Sequence, residues 1–379
     1  MTRYLIAPLE FKGSLTAAEA GEAMRQGLLR ARPHAEVEVL PLADGGPGTA
    51  QALVDALGGA WQSTLVQDPL GRRVEAAWGT WADGRAGIVE MARASGLVLL
   101  SPGERNPRRA STFGTGELIR AAVQGGVRSL LVGLGGSATN DGGAGALQAL
   151  GVKLRDAQGR ELAPGPLALH DLVGIDTSGM LRQLGEVDIA CLTDVVNPLT
   201  GPSGASCVYG PQKGASHADV ALLDAALAHF ADVVRRQLGM DIAREPGTGA
   251  AGGLGYGLRA VCGARIVRGF DRIAEVLHLD ERLARAEVVL TGEGRLDSQS
   301  LQGKGPVALA ARARAAGRRV VAFAGRIDPS WAEGGTPFDE VRLGGAPDWD
   351  ERRPDAKAMA ATALGDAVAA WAGGAAAST

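Results

Sequence analysis

The chain has 379 residues, 46% hydrophobic and 21% charged, with a formal net charge of −3. That length is more than one hydrophobic core usually serves, so two domains are expected, and the charge balance gives no sign of a nucleic-acid partner. No run of about 18 uninterrupted apolar residues is present to span a membrane, and the opening "MTRYLIAPLE" is too short and proline-broken for a signal peptide, so a cytoplasmic protein is expected.

In chain order, "RYLIAP" reads as a buried strand, followed by a loop and a helix over "TAAEAGEAMRQGLLRAR", whose Thr16 and Glu19 form a capping box. "EVEVLPL" is the next strand, then the turn "ADGGPG", then a helix through "TAQALVDALGG" closed by Gly58-Gly59. From Ala60 to about Glu90 short alternating runs separated by turn residues predict an antiparallel meander. A helix near "GTGELIRAAVQGG" leads to the strand "SLLVGLGG"; "VKLRDAQGREL" predicts a hairpin, "VDIACLTDV" a buried strand, and "ADVALLDAALAHFADVVRRQL" a long helix. Near Glu287 the strand–helix alternation returns with "AEVVLTGEG", "PVALAARARAAG" and "RRVVAFAG", and the last helix covers roughly Pro354 to Trp371. Similar textures at the two ends predict a discontinuous α/β domain, residues 1–60 with 285–379, interrupted by an inserted domain over 61–284.

The composition has one anomaly, 56 glycines against 4% aromatics, spread in short clusters. Five such clusters sit at strand-to-helix junctions beside carboxylates, hydroxyls or a lysine: "EFKGSLT", "LADGGPGT", "GGSATNDGGAG", "LTDVVNPLTGPSGAS" and "TGEGRLDSQSLQGKG". Any one of them could be a plain turn, since Asp-Gly and Asn-Asp-Gly mark turns. Together they suit a ligand held at the carboxyl ends of parallel strands. Phosphoryl transfer needs carboxylates for Mg²⁺, cations or N–H groups for phosphate and a base for the attacking hydroxyl. Asp44, Asp141, Asp194, Glu293 and Asp297 are the candidate carboxylates, and Lys12, Arg295 and Lys304 the candidate cations. Ser14, Ser137, Thr139 and Ser298 add hydroxyls.

Other chemistries find less. There is no Walker A loop, since Gly305 rather than Ser or Thr follows Lys304, and no HRD or DFG pair. The five histidines show no HExxH or HxH spacing, and Cys191, Cys207 and Cys262 have no CxxC spacing and read as small core residues in a reducing compartment. Gly133-x-Gly135-x-x-Ala138 does fit a loose dinucleotide fingerprint, with Asp156 about 20 residues on where a ribose-binding acid would sit. An NAD(P)-dependent oxidoreductase and a non-catalytic two-domain binding protein with a hinged cleft are therefore the alternatives to a kinase.

With the five loops in view, the chain resembles the type-1 glycerate kinases, the bacterial family that phosphorylates D-glycerate with ATP. The motifs "FKGSL", "ADGGxGT", "GGSATNDGGAG", "DVxNPLTGPxGAS", "YGPQKGA", "GAAGGLG" and "GEGRLDSQSLQGKGP" fall in the family's order over nearly the whole chain. The resemblance implies a two-domain α/β protein, one domain Rossmann-like and discontinuous and the inserted one flavodoxin-like, with the site in the cleft between them. It also implies Mg²⁺ and ATP as cofactors, D-glycerate as the small-molecule partner and 2-phosphoglycerate as the usual product. In that reading Asp194, Lys12 and Arg295 are catalytic; Ser14, Asp44, Asn197, Arg295, Asp297, Ser298 and Gln299 bind substrate. Gly135, Gly136, Ser137, Thr139, Asn140, Asp141 and Lys304 bind ATP, and Asp194, Asp297 and Glu293 hold the metal. Two departures stand out: Leu9 and Glu10 replace Asp and Ser in "PDSFKGS", and Pro47 replaces the glutamate of "ADGGEGT". Neither a nucleic acid nor a membrane is an expected partner; a homodimer is left open.

Overall fold

The structure, a computed structural model, describes residues 1–374 except 298–299, 301–304, 329–330, 332–335, 347–349 and 351. The chain begins with β1 (Arg3–Ile6), α1 (Ala17–Ala31), β2 (Glu36–Val39) and α2 (Thr49–Ala56). It continues through β3 (Ala60–Gln67), β4 (Arg73–Trp81), β5 (Ala86–Glu90), α3 (Ala92–Ser95), α4 (Phe113–Gln124), β6 (Ser129–Gly133), α5 (Ala144–Ala149), β7 (Lys153–Arg155) and β8 (Gly174–Asp176). Next come β9 (Asp188–Leu192), α6 (Ala205–Tyr209), α7 (His217–Leu238), α8 (Leu254–Cys262), β10 (Arg265–Val267), α9 (Gly269–Val276) and α10 (Leu279–Arg285). The last stretch is β11 (Val288–Leu296), α11 (Gly305–Ala315), β12 (Arg319–Ile327), β13 (Glu340–Leu343) and α12 (Ala356–Ala372).

Two compact units divide these elements: Met1–Asp44, Gln51–Leu57 and Phe270–Thr379 form the first, and Gly45–Ala50 with Gly58–Gly269 the second. The outer boundary thus falls at Phe270 instead of 285, because α9 and α10 are tied into the first unit. Arg312 of α11 reaches Asp271 and Asp280, each at 3.0 Å.

In the first unit, β13-β12-β11-β1-β2 make one sheet in which every neighbouring pair is parallel. Numbered within the unit the order is 2-1-3-4-5, the flavodoxin-type variant of a doubly wound sheet. The α1 start is fixed as its sequence predicts: Thr16 accepts from the Glu19 amide while Glu19 accepts from the Thr16 amide. The apolar positions of α1 and α12 (Met24, Leu28, Leu364, Val368) close over Tyr4, Ile6, Leu290, Val321 and Phe323 of the sheet. The two helices cross where both carry glycine, and a methyl on Gly27 would lie 2.1 Å from the Gly365 carbonyl oxygen.

The second unit has a six-stranded mixed sheet, β10-β9-β6-β5-β4-β3, in which the strands follow one another in chain order. The meander is present as two antiparallel pairs, β3–β4 and β4–β5; beyond β5 all pairs are parallel. Trp78, Val89, Ile119, Leu130, Val132 and Cys191 belong to its main core. The hairpin expected over Val152–Leu162 is only partly formed. Asp156 and Arg160 make the turn, but β7 touches Glu161 through one isolated bridge and takes β8 as its strand partner. Among the described residues no helix is long and apolar enough to cross a membrane.

Candidate active site

The first sheet reverses its winding between β1 and β11: the chain steps from β1 outward to β2, and from β11 the other way to β12 and β13. Crevices at such a switch point, beyond the carboxyl ends of the strands, are where open α/β sheets bind ligands. A cavity of about 750 Å³ lies there, lined by Glu10, Lys12 and Ser14 after β1, Asp44 after β2, Glu293, Gly294, Arg295 and Asp297 at the end of β11, Arg326 and Ile327 at the end of β12, and Leu343 with Gly344–Ala346 after β13. Three glycines allow the backbone to gather so closely. A methyl on Gly345 would lie 2.0 Å from the Gly325 carbonyl oxygen, one on Gly325 2.7 Å from that of Gly294, and one on Gly294 3.0 Å from the Lys12 amide nitrogen.

The charges in this cavity are unequal in freedom. Ser14 is committed locally, its amide and hydroxyl both donating to the Phe11 carbonyl at 2.8 and 2.9 Å. That turn leaves Lys12 exposed at the loop's tip. Arg295 pairs with Asp328 at 2.6 Å and approaches Asp297 at 3.7 Å. Glu293 is the outlier: its Oε1 is shielded from solvent and has no hydrogen-bond partner. Burial pushes its carboxyl up to about 7 against a hydrogen bond from Ser300; the charges of Asp297 and Asp44 add to the push, and Lys12 opposes it.

The second unit uses its Gly-rich loop differently from the expectation. Ser137 is 8% exposed, and Thr139, Asn140 and Asp141 are fully buried. Asp141 accepts from the Thr112 amide and hydroxyl and from the amides of Gly143 and Gly145. The amides of Ala138 and Gly142 donate to the Ser95 and Gly252 carbonyls. The anion at the start of α5 is therefore the protein's own carboxylate, which leaves the Gly135–Gly136 turn as the part of this loop facing outward. The Pro47 ring packs on that turn: a methyl on Gly135 or Gly136 would lie 3.1 or 3.2 Å from it. The Thr139 carbonyl accepts a 2.7 Å hydrogen bond from Lys213 Nζ, and Asn140 Nδ2 donates to Ser206 Oγ at 2.9 Å. Past β9, Asp194 has both carboxylate oxygens shielded from solvent. Asn197 donates to the Ser203 carbonyl and accepts from the Tyr209 hydroxyl. Asp156 takes the Gln158 and Arg160 amides and the Arg160 guanidinium, which makes it a turn cap and not a ribose ligand.

Of the predicted residues, the cavity gathers Lys12, Ser14, Asp44, Glu293, Arg295 and Asp297. Asp194, Asn197 and Gly135–Asp141 lie in the other unit, and Ser298, Gln299 and Lys304 lie outside the described residues. No three His, Cys, Asp or Glu side chains among the described residues cluster as a metal would require. Leu9, the replacement for the family aspartate, is 7% exposed, and both it and Glu10 line the cavity. Sequence reasoning missed Arg326 and Lys213. The first carried a signal, a cation after glycine at the end of the apolar run "VVAFAG"; the second is a lysine in a quoted motif whose burial nothing local announces.

Comparison with known proteins returns one consistent answer. The sequence model of the Glycerate kinase family matches residues 4–337. A glycerate kinase of Bacillus subtilis (strain 168) is 46% identical over 86% of this chain and 85% of its own length. A glycerate 2-kinase of Escherichia coli (strain K12) is 43% identical over the same shares. The crystal structure of a Salmonella typhimurium LT2 protein described as a glycerate kinase 2 superimposes with a TM-score of 0.90 at 42% identity, covering 98% of this chain and 97% of its own.

Proposed function

The chain belongs to the glycerate kinase family, and from that premise we propose that it transfers a phosphoryl group from ATP to D-glycerate, with 2-phosphoglycerate as the product, in the cytoplasm. The observation that carries the assignment of the reacting centre is Glu293, a shielded carboxylate with an unsatisfied oxygen, pressed by Asp44 and Asp297 at the switch point of a parallel sheet. Such a group calls for a cation or a donor. Mg²⁺ is usually held by one or two carboxylates plus substrate phosphates. Glu293 with Asp297 would therefore suffice to hold it, and it would supply charge neutralisation for the transferring phosphoryl.

The protein's own part is positioning and electrostatics, since phosphoryl transfer leaves little covalent work to side chains. Lys12 brings a cation to the cavity, and Arg295, held in place by Asp328, presents a planar fork suited to a carboxylate or phosphoryl group. The neighbouring β11, β12 and post-β13 backbones crowd the cavity floor, which limits water at the transfer point. Asp194, shielded beyond β9, is a further proposed catalytic carboxylate, carried by the second unit.

The test is direct. Purified protein with ATP, Mg²⁺ and D-glycerate should form ADP in proportion to glycerate, and phosphorus NMR of the product should show the 2-phosphate. Absence of glycerate-dependent ADP would overturn the activity, and a 3-phosphate signal the regiochemistry. Lys12→Met should lower kcat/KM by about 10²-fold or more, the scale of losing one preorganised charge in a phosphoryl site.

A further inference from the structure

The first-unit cavity has more apolar lining than the acid substrate accounts for. A three-carbon hydroxy acid offers a carboxylate and hydroxyls but no apolar face. A cavity of about 750 Å³ is the size that encloses a much larger ligand. Besides Leu9 and Phe11 after β1, the apolar lining comes from the carboxyl termini of β12 and β13, the turn after β13 and α12: Ile327, Leu343, Ala346 and Ala360. Ile327 is 38% exposed and Leu343 59%; apart from the terminal Met1 they are the large apolar side chains the first unit exposes among the described residues, and both line this cavity. Arg326, beside Ile327, lines it too and has no hydrogen-bond or ion-pair partner among the described residues.

Exposed apolar side chains lining a cavity that also holds an uncommitted guanidinium match one class of ligand, an aromatic base joined to a polyphosphate. Aromatic faces gain from packing on aliphatic side chains, and a guanidinium binds phosphate oxygens in a bidentate fork. The competing place for the phosphates, the Ser137–Gly145 loop of the other unit, already holds the carboxylate of Asp141 on its amides. We propose that Ile327 and Leu343 form the purine subsite for the nucleotide donor and that Arg326 binds its phosphates. This rests on the kinase reading, and it makes these three residues determinants of donor affinity with no part in binding the acid.

The experiment uses the full chain and two surface substitutions that leave the core untouched, Leu343→Asp and Arg326→Gln. Steady-state kinetics should show KM for ATP raised about tenfold or more in each, the effect of losing one good contact, with KM for D-glycerate within about twofold. Calorimetric titration without glycerate separates the two contacts: Arg326→Gln weakens inorganic tripolyphosphate binding, Leu343→Asp weakens adenosine binding, and neither does the converse. A rise in KM for glycerate with KM for ATP unchanged overturns the subsite, as does no change in either constant. If wild-type protein forms no glycerate-dependent ADP, the activity fails instead, and the titrations with tripolyphosphate and adenosine still decide the subsite.

Discussion

Asp141 Oδ2 accepts hydrogen bonds from both the amide (2.8 Å) and the hydroxyl (2.9 Å) of Thr112, joining the start of α4 to the loop that opens α5. With the Gly143 and Gly145 amides at 3.1 and 3.3 Å, every neighbour of this buried group is a donor. A protonated acid or an amide would set a donor against a donor. Burial pushes this carboxyl up, and the hydrogen bonds from Thr112, Gly143 and Gly145 oppose that push. Asp141→Asn should therefore destabilise the protein by about 3–5 kcal/mol, the cost of breaking a buried charged network. Urea unfolding reads it; a midpoint equal to wild type would show that the charge is not structural.

The same residue shows where sequence reading stops. Glycines and an Asn-Asp-Gly run at a strand end correctly mark backbone N–H groups gathered for an anion, but not whose anion it is. Thr112 stands 29 positions upstream of Asp141, a distance over which local pattern is silent. The βα alternation, by contrast, is local, so β1, β11 and β12 and the loops bearing Lys12, Glu293 and Arg295 were legible from apolar runs ending in charged, Gly-rich turns. Pairing of β7 with β8 and the docking of α9 and α10 depend on remote partners, and both escaped. Lys213 escaped because its sequence neighbours are ordinary loop residues while its burial comes from elements far along the chain.

Lys213 yields a pH prediction. It is 1% exposed, and burial pushes its ammonium down to about 7 from 10.5, with the charge of Asp141 acting against the shift. Between those values the unfolded chain binds the proton more strongly, so stability rises with pH across that window and is flat below about 7. The slope is up to about 1.4 kcal/mol per pH unit. Lys213→Met should lose this rise. Unfolding free energies at pH 7, 8 and 9 with parallel slopes for the two proteins would refute it.

Glu293 gives the opposite sign. Its folded value of about 7 exceeds the ordinary 4.5 because of burial first and the charges of Asp297 and Asp44 next. The folded chain holds that proton more tightly, so this contribution to stability is complete below pH 4.5 and is lost as pH rises to about 7. In metal-free buffer with a chelator, Glu293→Gln should flatten the decline and be the more stable protein at pH 8. Thermal unfolding from pH 5 to 8 checks this, and a Gln variant less stable than wild type at pH 8 would count against the buried-carboxylate reading.

Gly252 and Ala251 form a matched pair for the last prediction. Both have left-handed backbone, with φ of +66° and +54°, in a turn that presses on Thr139 and Asn140. A methyl on Gly252 would lie 2.1 Å from the Thr139 carbonyl oxygen, the atom Lys213 also binds. Gly252→Ala adds left-handed strain to a backbone collision, about 3 kcal/mol or more together. Ala251→Gly should instead stabilise by up to about 1 kcal/mol, because relief of a left-handed alanine outweighs the entropy glycine brings to the unfolded chain. Thermal unfolding of the two variants should thus move in opposite directions from wild type. A Gly252→Ala midpoint at or above that of Ala251→Gly would refute the collision with the Thr139 carbonyl.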